Sequence, residues 1–578
     1  MNHDIVIHID FADSGPMYFQ HPVSIIQTNQ SEDVDTCMQK VQAAVDDGYY
    51  AAGFVSYEAA DGLRPEYSVA SGAEMPLLWF GIFDGPAEPP AEKVARTYHL
   101  SDWKLSTPAR EYEKNVERIR LAISRGETYQ VNYTTRMNAQ FLGDARSLYE
   151  QMKASQQGGY SAYLHTGRHE ILSVSPELFF RRTGNHLSMK PMKGTIARGT
   201  NESEDKHLYE QLRTSEKDRA ENVMIVDLLR NDLGMIAETG TVTTPALFDI
   251  EAYPTVWQMT STVEAELKKD VDGVDLFKAL FPCGSITGAP KKETMKKIKE
   301  LENEPRGVYC GSIGYLSPNG DSIFNVAIRT AVVDGKEQNI TYGTGGGVTW
   351  DSTPRGEYEE AIVKSKVITE RQHPFSLIES LRMENGHFPF LSSHQQRMQE
   401  SAHYFGWPFS TEAMSETLHT YAKNHSQGYY KVRLLYEPDQ GFLVEGNALQ
   451  NIKESVNVEL AKRTLPFDNV FSFHKTTARE AFDHLRSLSS EGVFDVLLYN
   501  DEHEILEFTI GNVVVEQNGV CTTPPVSLGL LPGVFRQHLL EQGAIQERTL
   551  SVSDLASADR IWLINSVRGW LEVKGLGK

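Results

Sequence analysis

Cysteine is scarce. Cys37, Cys283, Cys310 and Cys521 are the only four in 578 residues, and they lie far apart. That spacing excludes a disulfide-stapled extracellular module and a thiolate zinc site, and it predicts a reducing cytoplasm. Positive charge is also short: 56 Lys and Arg stand against 78 Asp and Glu, a formal charge of −22. A surface of that sign argues against a general nucleic-acid binder. No apolar run reaches the roughly 18 residues that a membrane span needs, so no membrane partner is expected. Met1-Asn2-His3-Asp4 begins no basic-then-apolar leader. There is no internal repeat, no low-complexity tract and no Gly-Lys-Ser/Thr phosphate loop. What these absences leave is a cytoplasmic enzyme or binding protein, long enough for three or four domain-sized units.

What is present is alternation. Short strand-like runs and helical runs alternate over about the first 370 residues, which predicts one large α+β domain over 1–370. A single helix is expected over Ser203 to Leu233 and another from about Pro354 to Thr369. The pattern restarts near Gln372-His373-Pro374, and 375–578 is long enough for a core of its own.

Within the first domain four acids form two helical pairs, Asp218/Glu221 and Glu357/Glu360. Residues three apart share a helix face, so each pair is either a solvated surface or half of a site for a hard cation such as Mg²⁺. The stretches Gly284 to Gly288 and Gly345 to Gly347 are either turns or anion cradles of backbone amides. Arg329 ends an apolar run and is either salt-bridged or a carboxylate clamp. Lys193 follows Pro191-Met192 and precedes Gly194. A lysine so placed is an ordinary loop residue unless burial or a nearby cation lowers its pKa, when it becomes a nucleophile.

These pieces, in this order, resemble the chorismate-utilising enzymes. The matching segments are Gly-Glu-Thr-Tyr-Gln-Val-Asn at 126–132, Ser-Pro-Glu at 175–177 and Asp-Arg-Ala-Glu-Asn at 218–222. Asp-Leu-Leu-Arg-Asn-Asp at 227–232, Gly-Ser-Ile-Thr-Gly-Ala-Pro-Lys at 284–291 and Gly-Gly-Gly-Val at 345–348 complete the set. The resemblance implies a large two-sheet fold, chorismate as substrate, and Mg²⁺ on Glu221 and Glu360 with Asp218 and Glu357 in support. It implies Glu177 as the acid that protonates a departing hydroxyl, and Tyr309, Arg329, Thr287 and the amides of Gly345, Gly346 and Gly347 around the substrate. Lysine at 193, within Pro-Met-Lys-Gly-Thr, is similar to the aminodeoxychorismate synthase component I branch; the anthranilate synthase branch has alanine there. In that branch the lysine adds covalently to the substrate before ammonia displaces it. No Gly-x-Cys-x-Gly segment surrounds any cysteine. The resemblance therefore implies ammonia from a separate glutamine amidotransferase subunit or from solution.

The second domain carries His474-Lys475-Thr476, Glu504 to Asn512, Leu530 to Arg536 and, upstream, His394-Gln395-Gln396-Arg397. Their order resembles the fold-type IV pyridoxal-phosphate enzymes, an aminotransferase-like α/β fold. The resemblance implies Lys475 as the cofactor lysine and Glu507 at the pyridine nitrogen. It places Arg397, Gly533, Val534 and Phe535 at the phosphate, and Asn565-Ser566 in the pattern of 4-amino-4-deoxychorismate lyases. The domain opens at Phe375-Ser376-Leu377, so the family's first strands are absent; Phe508 stands for a glycine and Phe535 for a threonine. Taken together, the expectation is a bifunctional synthase and lyase that makes 4-aminobenzoate for folate. The competing expectation is an anthranilate- or isochorismate-type synthase followed by a transaminase or a non-catalytic domain.

Overall fold

The computed structural model describes residues 5–89, 97–156, 158–199, 202–253, 256–369, 375–438, 440–449, 455–465 and 470–576. Two compact units divide the chain: Met1–Arg198 with Leu208–Gln372, and His373–Lys578 with the short segment Gly199–His207. The join at Gln372-His373-Pro374 lies outside the described residues.

The first unit is built on two ten-stranded sheets. In one, the long strand Gln130–Gly143 pairs antiparallel with Asn339–Val348, from Asn339↔Gln140 to Val348↔Val131. In the other, Met192–Ala197 lies at the end of the sheet against Val256–Glu266, and its register slips between Met192 and Thr195. Lys193 and Gly194 fill that slip, and Gly194 has φ +91, a left-handed conformation that glycine adopts without strain. An aromatic cluster packs one core of the unit, with Phe277 edge-on to Phe324 at 5.0 Å and Phe180 tilted on Phe324 at 5.3 Å.

The single helix expected over Ser203 to Leu233 is two helices, Glu202–Thr214 and Glu216–Gly234. Ser215 breaks them: its backbone is extended and its Oγ accepts the amide of Asp218 at 3.2 Å, a helix-start cap that outcompetes continuation. The second helix buries Ile225, Val226, Leu229 and Leu233 on one side and leaves Asp218 and Glu221 on another.

The second unit contains a three-stranded antiparallel sheet of Leu377–Glu384, Tyr429–Glu437 and Gly441–Ala448. The helices Leu391–Tyr404 and Thr411–Asn424 belong to the same unit, and residues from both join the sheet in one apolar core. Its other sheet closes on itself, because Ile505–Phe508 pairs with both Asp495–Tyr499 and Gly511–Gln517. The ring is completed through Ser455–Leu460, Gly569–Lys574 and Arg560–Asn565. Closure hides strand edges, and Leu497, Phe508, Val513 and Leu563 help fill the associated core. No helix among the described residues is long and apolar enough to cross a membrane.

Candidate active sites

A cavity of about 250 Å³ opens in the first unit. Lys193 reaches it from the slipped strand, Glu177 from the start of Leu178–Thr183, Asp218 and Glu221 from the capped helix, and Glu357 and Glu360 from the helix Pro354–Thr369. Residues separated by up to 183 positions thus share one hollow, which is the convergence expected of a site.

Glu177 is 3 % exposed and its Oε1 has no hydrogen-bond partner. Burial pushes its pKa up to about 7, against the opposing pull of the Ser285 hydroxyl and the Lys193 charge. Lys193 moves the other way. Burial lowers its pKa and the Lys364 ammonium adds to that, while Glu221, Glu177 and Glu360 oppose. An acid drawn toward neutrality and an amine drawn down from the ordinary lysine range occupy the same cavity.

The carboxylates are individually held. Ser215 Oγ donates to Asp218 Oδ2 at 2.5 Å, and Ser352 Oγ donates to Glu357 Oε1 at 2.6 Å. Glu357 Oε2 is buried without a partner, and burial together with Glu360 raises the pKa of Glu357. Burial also raises that of Glu221. Glu360, about half exposed at 49 %, pairs with Lys364 Nζ at 2.5 Å, which holds its pKa down. Among the described residues no three His, Cys, Asp or Glu side chains converge tightly enough to form a ready metal cage. Magnesium does not require one, since it keeps several waters and takes one or two carboxylates. Where a Cβ on Gly346 would stand, Glu360 Oε1, Glu357 Oε2 and Lys364 Nζ lie 3.2, 3.3 and 3.4 Å away, so the acids offer the hard oxygen donors that Mg²⁺ takes while the Lys364 ammonium shares that spot.

The glycine run is not a turn. Gly345, Gly346 and Gly347 lie inside the strand Asn339–Val348. Gly345 faces Thr134, whose amide points away to Glu302 Oε1, and Gly347 faces Asn132, whose amide goes to Thr287 O. Such non-hydrogen-bonded pairs turn the amides and carbonyls of Gly345 and Gly347 away from the partner strand; Lys364 Nζ meets Gly345 O at 3.1 Å. The glycines are needed for space. A Cβ at Gly347 would stand 2.0 Å from Gln130 Nε2 and 3.0 Å from Lys193 Nζ.

Tyr309 and Arg329 also line the cavity. Arg329 sits beyond its strand with φ +51, and donates one N–H to Lys364 O at 2.8 Å. Thr287 does not line the cavity. It is fully buried, with its hydroxyl on Cys283 O and Gly284 O at 3.1 and 3.2 Å, so it fastens its own turn, and Ser285 and Ile286 of that turn face the hollow instead. Lys364, Gln130 and Ser285 were not among the expected residues. Gln130 and Ser285 fall inside the matching segments 126–132 and 284–291 without being singled out there, and Lys364 stands four positions after Glu360 on one helix.

A second cavity, of about 420 Å³, lies in the second unit. Lys475 lines it beside the strand Leu377–Glu384, where Ile378 N donates to Lys475 O at 2.9 Å. Burial, with Arg397 and Arg479 nearby, brings its pKa down to about 8. Glu507 Oε1 accepts Leu531 N at 3.1 Å and its Oε2 accepts Asn512 Nδ2 at 3.2 Å; burial pushes its pKa up to about 8. Arg397 grips Glu379 with Nε and Nη2 at 2.9 and 2.6 Å and gives Nη1 to Pro532 O at 3.1 Å. A guanidinium has five N–H donors, so two remain for an anion. Gly533 caps the helix Val534–Glu541, and its missing Cβ would lie 2.0 Å from Asn512 Oδ1. The amides of Val534 and Phe535 are therefore orphan donors at a helix start. Lysine, carboxyl group, arginine and helix start in one cavity fit pyridoxal phosphate. Asn565 uses both ends of its amide on backbone, at Ile510 O, Val567 N and Arg568 N, so it shapes the turn rather than offering a free group. Ser566 Oγ donates to Ser380 O at 3.3 Å.

The chain belongs to the chorismate-binding enzymes: the family model described as chorismate binding enzyme matches residues 11–370. Residues 376–576 match the model for amino-transferase class IV. Among curated relatives, aminodeoxychorismate synthase component 1 of Klebsiella aerogenes is 39 % identical over 272 residues, 47 % of this chain and 60 % of that protein. Anthranilate synthase component 1 of Aquifex aeolicus is 38 % identical over 275 residues, 48 % of this chain and 55 % of its own length. The chain thus spans a little over half the length of these relatives. The crystal structure of anthranilate synthase component I from Streptococcus pneumoniae superposes with a TM-score of 0.53 at 25 % identity, covering 64 % of this chain and 91 % of that one.

Proposed function

We propose that the chain makes 4-aminobenzoate from chorismate in two steps, one in each unit. The observation that carries the first step is the pairing in one cavity of Glu177, pushed up to about 7, with Lys193, pushed down from the ordinary lysine range. Glu177 gives its proton to the ring hydroxyl of chorismate as the C–O bond breaks and water leaves. Lys193 Nζ forms a C–N bond at a distant ring carbon in the same step. Ammonia then bonds to the carbon that lost the hydroxyl and expels the lysine, giving 4-amino-4-deoxychorismate. Arg329, Tyr309 and the amides of Gly345 and Gly347 take the two carboxylates of the substrate. Five carboxylates and four cations line the cavity, so a dianion needs added positive charge. Glu221 and Glu360 would hold the Mg²⁺ that supplies it, with Asp218 and Glu357 in support. A glutamine amidotransferase subunit, or free ammonium, provides the nitrogen.

In the second unit bound pyridoxal phosphate would supply an electron sink for the carbon beside the amine. Lys475 Nζ removes the proton from that carbon, the C–O bond to the enolpyruvyl group breaks, and pyruvate leaves as the ring becomes aromatic. Glu507 would keep the pyridine nitrogen protonated, while Arg397 and the amides of Val534 and Phe535 hold the phosphate. The test feeds the chain chorismate, ammonium, Mg²⁺ and pyridoxal phosphate. The expected products are 4-aminobenzoate and pyruvate with no keto-acid acceptor added, and Lys193→Ala should lower amination about a thousandfold or more, as loss of a covalent nucleophile does. Anthranilate or isochorismate as the product would overturn the reading.

A further inference from the structure

The second cavity holds more positive charge than a phosphate group requires. Arg397 and Arg479 act on Lys475. A separate set surrounds Lys431: Arg433 two residues along the strand Tyr429–Glu437, Arg486 from the helix Glu480–Ser487, and Arg568 from the turn after Asn565. Residues two apart on a strand share a face, so Lys431 and Arg433 point the same way. Phe494 ties the other two together, since Arg486 Nη2 donates to its carbonyl at 3.0 Å and the Arg568 guanidinium lies 5.8 Å from its ring.

Counter-charge is outnumbered: Asp483, on the same helix as Arg486, and Glu507 are the carboxylates that line this cavity. Arg433 meets Glu445 at 3.3 Å, with both side chains about half exposed, and its Nε is buried without a partner. Among the described residues no carboxylate comes within ion-pair distance of Lys431, Arg486 or Arg568. Partial burial and the three neighbouring guanidiniums lower the pKa of Lys431, the response of a cation crowded by like charges. One arginine suffices to clamp one carboxylate in a bidentate pair. A group of four calls for a ligand with more than one negative charge.

We propose that Arg433, Arg486 and Arg568, gathered round Lys431, form a two-carboxylate receptor that restricts the second cavity to amines carrying two acid groups and rejects ordinary monocarboxylate amino acids. The identity of the natural amine rests on the lyase reading; the receptor does not. Its test is therefore binding first. The full chain is titrated calorimetrically with 3-(carboxymethoxy)benzoate, a dicarboxylate, and with 3-methoxybenzoate, its monocarboxylate counterpart. In Arg568→Gln and Arg486→Gln a component of dicarboxylate binding should weaken about tenfold, while monocarboxylate binding stays within about twofold of the parent chain. Superimposable dicarboxylate isotherms for the parent and both variants would sink the receptor, whatever the chain catalyses. A second readout uses 4-amino-4-deoxychorismate, for which each variant should raise KM about tenfold with kcat held within about twofold. A drop in kcat at unchanged KM would also overturn the proposal. If the parent chain releases no 4-aminobenzoate but the dicarboxylate component is still lost in the variants, the lyase reading fails and the receptor stands.

Discussion

Glu177 and Lys193 illustrate how one environment moves two groups in opposite directions. Removing water disfavours whichever form is charged, so the carboxyl rises to about 7 and the ammonium falls. A general acid must be protonated to act, and with a pKa near 7 Glu177 loses its proton as pH rises through neutrality. The first step should therefore slow above pH 7 with an apparent pKa near that value. Glu177→Gln should lower kcat for amination by roughly 10²–10⁴ and abolish that alkaline limb, because an amide has no proton to lose in the range. A steady-state pH profile checks both, and a limb surviving near pH 7 in the variant would assign it to another group. None of this was legible in the residue itself. Pro191-Met192-Lys193-Gly194 reads as a turn with a solvated lysine, and only the order of the other segments marked it as special. Thr287, expected near the substrate from the resemblance alone, has its hydroxyl engaged by two carbonyls of its own turn.

At the scale of elements, each acid pair lies on one helix, since a spacing of three fixes a shared face whatever the tertiary structure does. The glycine run was harder. Glycines carry no apolar alternation, so nothing local announces a strand, and the reason for them is supplied by side chains from elsewhere. Gln130 and Lys193 come close to Gly347, and the Tyr309 ring comes within 2.2 Å of where a Cβ on Gly343 would stand. These two positions should respond differently to alanine. At Gly347 the crowding atoms are the ends of flexible side chains, which can swing aside, so Gly347→Ala should fold with a stability loss of about 1–3 kcal/mol. The displaced Lys193 would leave its working position, and a misplacement on the order of 1 Å costs about a hundredfold in rate. Gly343→Ala instead meets a buried aromatic ring and should lose stability first. Thermal melting alongside amination rates separates the two, and a Gly347→Ala chain with parental kcat would show that the strand does not set the lysine's position.

For the whole molecule, the chemistries proposed for the two units make sense only in sequence. The sequence divided them where its segment order changed from one family resemblance to the other. The closed ring of strands in the second unit was not legible, because closure depends on Ile505–Phe508 pairing on both sides, a long-range choice that alternation cannot reveal. If the second unit consumes the product of the first, removing its reactive amine should not silence the chain but change what it releases. Lys475→Ala keeps every residue of the first cavity, so chorismate should be consumed at the parental rate under ammonium and Mg²⁺. The ring proton beside the amine then has no base to take it, and 4-amino-4-deoxychorismate should accumulate in proportion to chorismate used while 4-aminobenzoate falls by at least about a hundredfold. Chromatography of the reaction with time resolves all three compounds. Parental output of 4-aminobenzoate from this variant would remove the second unit from the reaction altogether. Slower chorismate consumption would instead show that events in the second cavity govern the first, a coupling that neither unit's own geometry requires.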